Sequence, residues 1–381
     1  MHILALEPYY GGSHQTFIDQ WIAHSHHQWT LLTLPAHHWK WRMRHAPITL
    51  AEQLNHPKYH SQEFDALFCS DMLSLSQFKG LAPANIRNLP AVLYFHENQL
   101  TYPDRFKGER DHHYGFDNYL SALAADQVWF NSNYHRQEFL TATRQLLKRM
   151  PDYQSLETVD QIEQKSLVAY PGVDQGETDA QSQPVEPSNQ PLHILWAARW
   201  EHDKNPEDFF AALTLLKQQN IDFRLSVLGE SFRDSPKVFA QAKREFADQI
   251  IHWGFLESRE AYLNALQQAD VVVSTALHEF FGIAVVEAIA AGCMPLLPNR
   301  LAYPELLERE QDSLAEFYFY DGSPRQLVDR LIEYHSLKND APKWESRLHL
   351  AQAKVARFQW KQQISQYDGL LDNLIDPKQS L

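Results

Sequence analysis

The stretch HEFFGIAVVEAIAAG, residues 278–292, sets two carboxylates, Glu279 and Glu287, around the start of an apolar helix pattern opened by Gly282. A helix start leaves backbone amides unpaired, and together they present partial positive charge to an anion, most naturally a diphosphate. Gly282 lets the ligand come close to the backbone. Carboxylates make poor phosphate ligands but good acceptors for hydroxyl groups. A nucleotide sugar satisfies both demands, with one acid for the sugar hydroxyls and one for the ribose. Arg199 and Lys204 follow the apolar run in HILWAARWEHDKN, where their charge can neutralise a departing diphosphate.

The first half of the chain carries a second set of candidates. His96 opens HEN at the end of the apolar run AVLYF, so it is expected to project from a strand end, with Glu97 and Asn98 as weaker candidates for positioning an acceptor. EPYYGGSH (7–14) contains Gly11 and Gly12, which allow close approach to donor phosphate or acceptor. LPAHHWKWRMRH (34–45) gathers cations and aromatics in an acidic chain. Read as extended, it places Trp39 and Trp41 on one face and Lys40, Arg42 and Arg44 on the other. Stacked bases on the first face and phosphates on the second is how proteins hold single-stranded RNA loops. FKGER (106–110) with Arg105 extends the basic track, and Lys107 belongs to it.

These residues need strand ends and helix starts to carry them. Apolar runs of strand composition occur at 2–8, 66–71, 91–97, 127–133 and 167–171, and again at 193–200, 223–230, 250–254, 270–275 and 294–299. Helical stretches such as 207–219 and 236–248 separate them. Continuous apolar strands alternating with helices predict parallel sheets covered on both faces. The segment 175–191 has linker composition, rich in Gln, Pro, Ser and Glu. The expected organisation is an acceptor domain 1–174, the linker, a donor domain 192–356 and a C-terminal helix within 357–381 that packs back on the first domain. Two such domains facing each other form a cleft at the carboxyl ends of their strands, where ligands bind.

Composition narrows the partners. The chain has 381 residues, 44% hydrophobic and 22% charged, with a formal net charge of −14. Residues 1–175 hold 14 Lys+Arg against 18 Asp+Glu, a balance of −4, and residues 176–381 hold 20 against 30, a balance of −10. Long-range attraction to nucleic acid is therefore excluded as the organising force, and any contact with a polyanion falls to the first half. No apolar run reaches the roughly 20 residues of a membrane span, and MHILALEP runs directly into a strand pattern. The expectation is a cytoplasmic protein without membrane contact. Cys69 and Cys293 fit neither a disulfide framework nor a zinc spacing. No D-x-D pair is present to hold a divalent ion, and the histidines, His26-His27 and His112-His113 among them, show no metal-ligand spacing on a helix face. We expect no metal and no cofactor beyond the nucleotide-sugar substrate. Nothing in the pattern sets an oligomeric state.

The E-x7-E spacing with Phe-Gly-Ile inside it resembles the donor-site signature of retaining nucleotide-sugar glycosyltransferases of the GT-B type. The resemblance implies an α/β fold of GT-B architecture, two Rossmann-like parallel-sheet domains facing across a cleft. It also implies that Glu279 contacts the transferred sugar, that amides around Phe281, Gly282 and Ile283 hold the distal phosphate, and that Glu287 binds the ribose. Arg199 and Lys204 match its G/A-R-x(4)-K-N pattern, and Gly229-Glu230 at the end of FRLSVLGE lies near the nucleotide, with the base near 250–255. His96 corresponds to a histidine that meets the sugar beside the reacting carbon.

EPYYGGSH, LTLPAHHWKWRMR, LYFHENQLTYP and DQVWFNSN together are similar to the tRNA-queuosine mannosyltransferases. That family's reaction moves an α-mannosyl group from GDP-mannose to queuosine in the anticodon of aspartate tRNA. The residues themselves do not choose mannose over glucose or galactose, nor guanosine over uridine. Two other readings use the same residues: a GT-B enzyme acting on a lipid or polysaccharide, and a non-catalytic RNA-binding protein on this fold. The first favours a basic amphipathic membrane helix in the first domain, and none is evident. Against the second stand His96, Arg199, Lys204, Glu279 and Glu287.

Overall fold

The computed structural model describes residues 1–103, 111–174 and 190–375. Arg105, Lys107 and nearly all of the expected linker lie outside the described residues. The chain divides into two units, 1–172 with 360–381, and 173–359. The divisions fall at 172/173 and 359/360, against expected positions of 174, 192 and 357.

Unit 1 is a six-stranded parallel sheet in the order β2-β1-β3-β4-β5-β6. Its strands are β1 (His2–Tyr10), β2 (Gln28–Pro35), β3 (Ala66–Ser70), β4 (Ala91–Phe95), β5 (Gln127–Phe130) and β6 (Ser166–Val168). Every residue of β3 and β4 is buried, which is why ALFCS and AVLYF read as unbroken apolar runs rather than alternating ones. β2 falls outside the expected runs. It is an edge strand, only two of its residues are buried, and its end merges in sequence with the basic stretch that follows.

The helices of unit 1 that matter for chemistry are α1 (Gly12–His24), α2 (Trp39–Leu54), α3 (His112–Ala124) and α4 (Asn133–Lys148). α2 overturns the extended reading of WKWRMR. Met43, Ala46, Pro47, Leu50, Ala51 and Leu54 are buried at helical spacing, and burial of that stripe outweighs the poor start of the helix, where His38 has a left-handed backbone and no side-chain cap. The two faces assigned to the tryptophans and the cations therefore do not exist.

Unit 2 is also six-stranded and parallel, in the order β12-β11-β10-β7-β8-β9. It comprises β7 (Leu192–Ala197), β8 (Phe223–Leu228), β9 (Ile250–Gly254), β10 (Val271–Val273), β11 (Met294–Pro298) and β12 (Phe319–Tyr320). β12 is too short to leave a pattern in the sequence. α5 (Ile283–Ala291) follows β10. The helix expected within 357–381 begins at Trp360. Ala341–Val355 and the short turn Ala356–Phe358 stay in unit 2, while α6 (Trp360–Ile375) belongs to unit 1.

Spacing explains where α6 goes. Trp360, Tyr367 and Leu371 lie on one face and are completely buried in a cluster with Phe17, Trp21, Phe68, Tyr94 and Trp129. Side chains of that size stabilise by about 1.5–3 kcal/mol each when buried. Asp368 locks the register: its carboxylate accepts from Ser25 Oγ at 2.8 Å, the His26 amide at 3.0 Å and Trp21 Nε1 at 3.3 Å. Among the described residues no helix is long and apolar enough to cross a membrane. Both cysteines are buried and unbridged, and burial pushes both thiols up.

Candidate active site

In each sheet the strand order reverses once, between β1 and β3 in unit 1 and between β7 and β10 in unit 2. Connections leave such a point on opposite faces, so a crevice opens at the strands' carboxyl ends. Apart from Gly11 and Gly12 of unit 1, the predicted donor residues lie around this point in unit 2.

Lys204, in the turn after β7, is only 8% exposed. Its Nζ donates to the His278 carbonyl at 2.8 Å and lies 3.0 Å from Asp203 Oδ2 and 3.3 Å from Glu279 Oε2. Burial works against this cation, but Glu279 and Asp203 outweigh it and raise its pKa. The loops after β7 and β10 are stitched together. The Leu277 amide donates to the Asp203 carbonyl at 2.8 Å, the Thr275 hydroxyl to the Lys204 carbonyl at 2.9 Å, and Arg300 to the carbonyls of Ala276 and Thr275. His278, buried beside Lys204, has its pKa lowered to about 4, mainly by burial and then by that cation, so it is neutral.

Glu279 faces the head of α5, where its Oε1 accepts from the Phe280 amide at 3.1 Å and the Phe281 amide at 3.5 Å. Gly282 caps α5 with φ 93°, a left-handed backbone in which a Cβ would also press on the Tyr303 ring at 3.0 Å. The Ile283 amide begins the helix beyond it. A small hollow at this end is lined by Ala198, Lys204, Ser274, Glu279, Gly282 and Tyr303. Glu287, one helical turn further in, is held by Arg259 Nη2 at 2.7 Å and the Tyr262 hydroxyl at 3.0 Å. Arg199 is exposed and 3.3 Å from Glu201. At Gly229 a Cβ would fall 1.8 Å from the Ala198 carbonyl oxygen. The glycine is therefore what lets the β8 end pass the β7 end, with exposed Glu230 just beyond.

In unit 1, His96 follows β4 as expected and sits in a cage of rings. Its centroid lies 4.0 Å from His14, 4.7 Å from Tyr94 and 5.0 Å from Phe17. Its amide donates to Asp71 Oδ1 at 2.8 Å, and its carbonyl accepts from Asn131 Nδ2 at 2.8 Å. Glu97 Oε1 accepts from Gln99 Nε2 at 3.0 Å. Asn98 is a correction. It is fully buried, and its Oδ1 takes the amides of Leu100 and Thr101 at 3.0 Å each, so it shapes the turn and cannot meet an acceptor. Gly11 and Gly12 turn β1 into α1; a Cβ on Gly11 would strike Ala36, whereas Gly12 faces open space.

The basic stretch separates into buried and exposed members. Trp41 is 66% exposed and lies against the His45 ring, and Lys40 is exposed beside Trp39. Trp39 packs against Tyr114. Arg44 rests on the Tyr114 ring and pairs with Asp117 at 2.9 Å. Arg42 is a second correction, because only 7% of it is exposed and its Nη1 lies 3.1 Å from His45 Nε2. It is a packing residue of α2, not a phosphate ligand.

Among the described residues, two groups bring ligand atoms within 4.8 Å of one another: Glu7 with His14 and His96, and His26 with His27 and Asp368. In the first the two imidazole rings lie with centroids 4.0 Å apart, tilted by 34°. In the second, Asp368 is already occupied by protein donors, including His26 Nδ1 at 2.7 Å.

Residues 2–173 match the family described as tRNA-queuosine alpha-mannosyltransferase N-terminal, and residues 177–352 match glycosyl transferases group 1. The tRNA-queuosine alpha-mannosyltransferase of Drosophila melanogaster is 38% identical over 316 residues, covering 81% of this chain and 82% of that protein. The chain belongs to the tRNA-queuosine alpha-mannosyltransferase family. It is a glycosyltransferase. A GDP-mannose:cellobiosyl-diphosphopolyprenol alpha-mannosyltransferase of Xanthomonas oryzae pv. oryzae is 27% identical over 177 residues, 46% of this chain and 45% of that one. Sucrose-phosphate synthase of Thermosynechococcus elongatus superposes with a TM-score of 0.72 at 15% identity, over 99% of this family member and 100% of that chain. That likeness shows the GT-B fold.

Sequence reasoning passed over Glu7, His14, Asp71, Asp203 and Tyr303. A signal existed for the first three: Glu7 and His14 are the two ends of EPYYGGSH, and Asp71 closes ALFCSD, all at strand ends or helix starts. Asp203 is adjacent to a lysine, and Tyr303 is far from any motif, so neither had one.

Proposed function

We propose that this chain transfers an α-mannosyl group from GDP-mannose to the queuosine base in the anticodon of aspartate tRNA, with retention at the anomeric carbon and without a metal. The observation that carries the reading is the resemblance along both halves to the Drosophila tRNA-queuosine alpha-mannosyltransferase. The donor half supports it chemically. Buried Lys204, with Arg199 and the amides at the head of α5, offers positive charge for a leaving diphosphate, and Glu279 and Glu287 are acceptors for sugar and ribose hydroxyls. Gly229, Glu230 and the Gly11-Gly12 turn are assigned to the approach of the donor, and His96 to the transferred sugar. The leaving phosphate itself takes the acceptor proton, so catalysis rests on positioning and charge stabilisation. Trp41, Lys40 and Arg44, with Trp39 behind them, form the α2 surface assigned to tRNA. The location implied by this substrate is the cytoplasm.

The test incubates the protein with queuosine-containing and queuosine-lacking tRNA and with several nucleotide sugars, with and without EDTA, followed by mass spectrometry of the nucleosides. One hexose should appear on queuosine only, from GDP-mannose, unchanged by EDTA. Absence of transfer from any donor, or transfer to tRNA lacking queuosine, would sink the reading.

A further inference from the structure

Three strand ends meet where the order of the unit 1 sheet reverses, and each delivers a titratable residue: Glu7 on β1, Asp71 after β3 and His96 after β4. α1 adds His14. Glu7 is 2% exposed, His14 7% and Asp71 0%. Backbone bonds hold the His96 main chain from two sides, through Asp71 and Asn131. Nothing comparable holds its ring, since Nε2 is buried without a hydrogen-bond partner. Contact with neighbouring rings does, and the nearest ring is His14, with centroids 4.0 Å apart. His14 is itself paired with Glu7 by charge, its Nδ1 lying 3.3 Å from Oε1 without forming a hydrogen bond, and that oxygen is fixed in turn by accepting from the Tyr9 amide at 2.8 Å and Ser70 Oγ at 2.9 Å.

We propose that Glu7 and His14 are positioning residues for His96: Glu7 anchors the His14 ring, and that ring is the platform on which the His96 ring lies. The proposal rests on the reading above that His96 meets the transferred sugar.

Charge gives the platform a second effect. His14 is faced by Glu7 from β1, Asp71 from the β3 end, Glu97 and His96 from the β4 end, and the Tyr9 ring at 5.9 Å. Burial opposes a proton on His14, but the acidic groups around it, Glu7 foremost, outweigh it and raise the pKa to about 9, so His14 is a cation at neutral pH. His96 is faced by His14, by His135 from α4 and by the Tyr94 ring. Burial first, then the two histidines, hold it well below the ordinary imidazole range, so His96 stays neutral. A sugar passing through an oxocarbenium-like transition state gains positive charge. A neutral imidazole there can hydrogen-bond a sugar hydroxyl without repelling that charge. Asp71, whose carboxyl is pushed up by burial against the pull of His14, completes the group with its buried Oδ2 lacking a hydrogen-bond partner.

The experiment compares wild type, His14→Gln, Glu7→Gln and His14→Phe by NMR of isotope-labelled histidine in the full chain, titrated with pH, alongside steady-state kinetics. In wild type the His96 ring should remain neutral across the range in which an ordinary imidazole takes up its proton. In His14→Gln and Glu7→Gln its titration should move up toward the ordinary value. In His14→Phe, which keeps a ring but no charge, the titration should move up while the ring-current shift of His96 persists. Turnover of His14→Gln should fall by on the order of a hundredfold with the donor KM within about twofold, as expected for a displaced reactive group. His96 signals and titration identical to wild type in the folded variants would overturn the proposal. If His14→Gln does not fold, Glu7→Gln and His14→Phe carry the same reading. The NMR result needs no substrate, so it separates failure of the positioning role from failure of the mannosyl-transfer reading, which would show as a wild type inactive with every donor.

Discussion

Replacing Lys204 by Met keeps most of the side-chain volume and removes the charge at the centre of the unit 2 site. The structure sets the size of the effect. Nζ serves the His278 carbonyl, Asp203 and Glu279 within 3.3 Å, and the residue is 8% exposed, so water cannot readily take its place. Breaking a buried ion pair from one side costs about 3–5 kcal/mol, because the partner carboxylates stay behind uncompensated. An orphaned buried carbonyl adds to that within the same range. For a unit of this size about 4 kcal/mol lowers the melting temperature by roughly 10 °C. Turnover should fall further than stability explains. Loss of one group that stabilises charge in the transition state typically removes about 10²–10³ from kcat. Calorimetry of the full chain gives the first quantity, mannosyl transfer well below the variant's melting temperature the second, and titration with GDP alone isolates binding of the diphosphate. A Lys204→Met protein that melts within about 2 °C of wild type and turns over within about twofold would refute the argument. Its environment would then be behaving as solvent rather than as a buried charge cluster.

On α2, Trp41→Ala should weaken tRNA binding by about 1–3 kcal/mol, the worth of one stacked base, and leave the melting temperature and GDP binding unchanged. Arg42→Ala should do the reverse and lower stability before it touches affinity, because Arg42 is buried; filter binding and thermal melts of both variants decide it. Asp368→Ala should cost about 3 kcal/mol by stranding its buried donors and should expose α6 to limited proteolysis near Trp360. Resistance equal to wild type would mean that the aromatic cluster alone holds α6.

Both sheets were legible at the level of their strands because parallel strands buried on both faces leave unbroken apolar runs, as ALFCS and AVLYF do. The edges were not: β2 is half exposed and β12 is two residues long, so neither leaves a run. The helix at WKWRMR is hard to see in the sequence because the alternation of Trp39, Lys40, Trp41 and Arg42 suggests a strand, and the stripe from Met43 to Leu54 is interrupted by Pro47. Glu279, Gly282 and Glu287 fall close together in the sequence because the head of α5 needs a glycine and a short motif. The positioning group around His96 was not, because it is assembled from β1, β3, β4 and α1, which are up to 89 residues apart in the chain.

From residue types and their local spacing come the things that depend on a few neighbours in the chain: strand or helix, the glycine at a helix start, the acids placed around it. Tertiary structure decides what depends on neighbours far away in sequence. Lys204 is a buried cation because β10 carries Glu279 back beside β7. His96 is neutral because folding buries it and brings His14 from α1 and His135 from α4 beside it. Arg42 and Asn98 are polar side chains with interior roles, which their types alone do not reveal. A side chain's charge state and accessibility are set by burial and by partners within a few ångströms, and folding chooses those partners without regard to their separation along the chain.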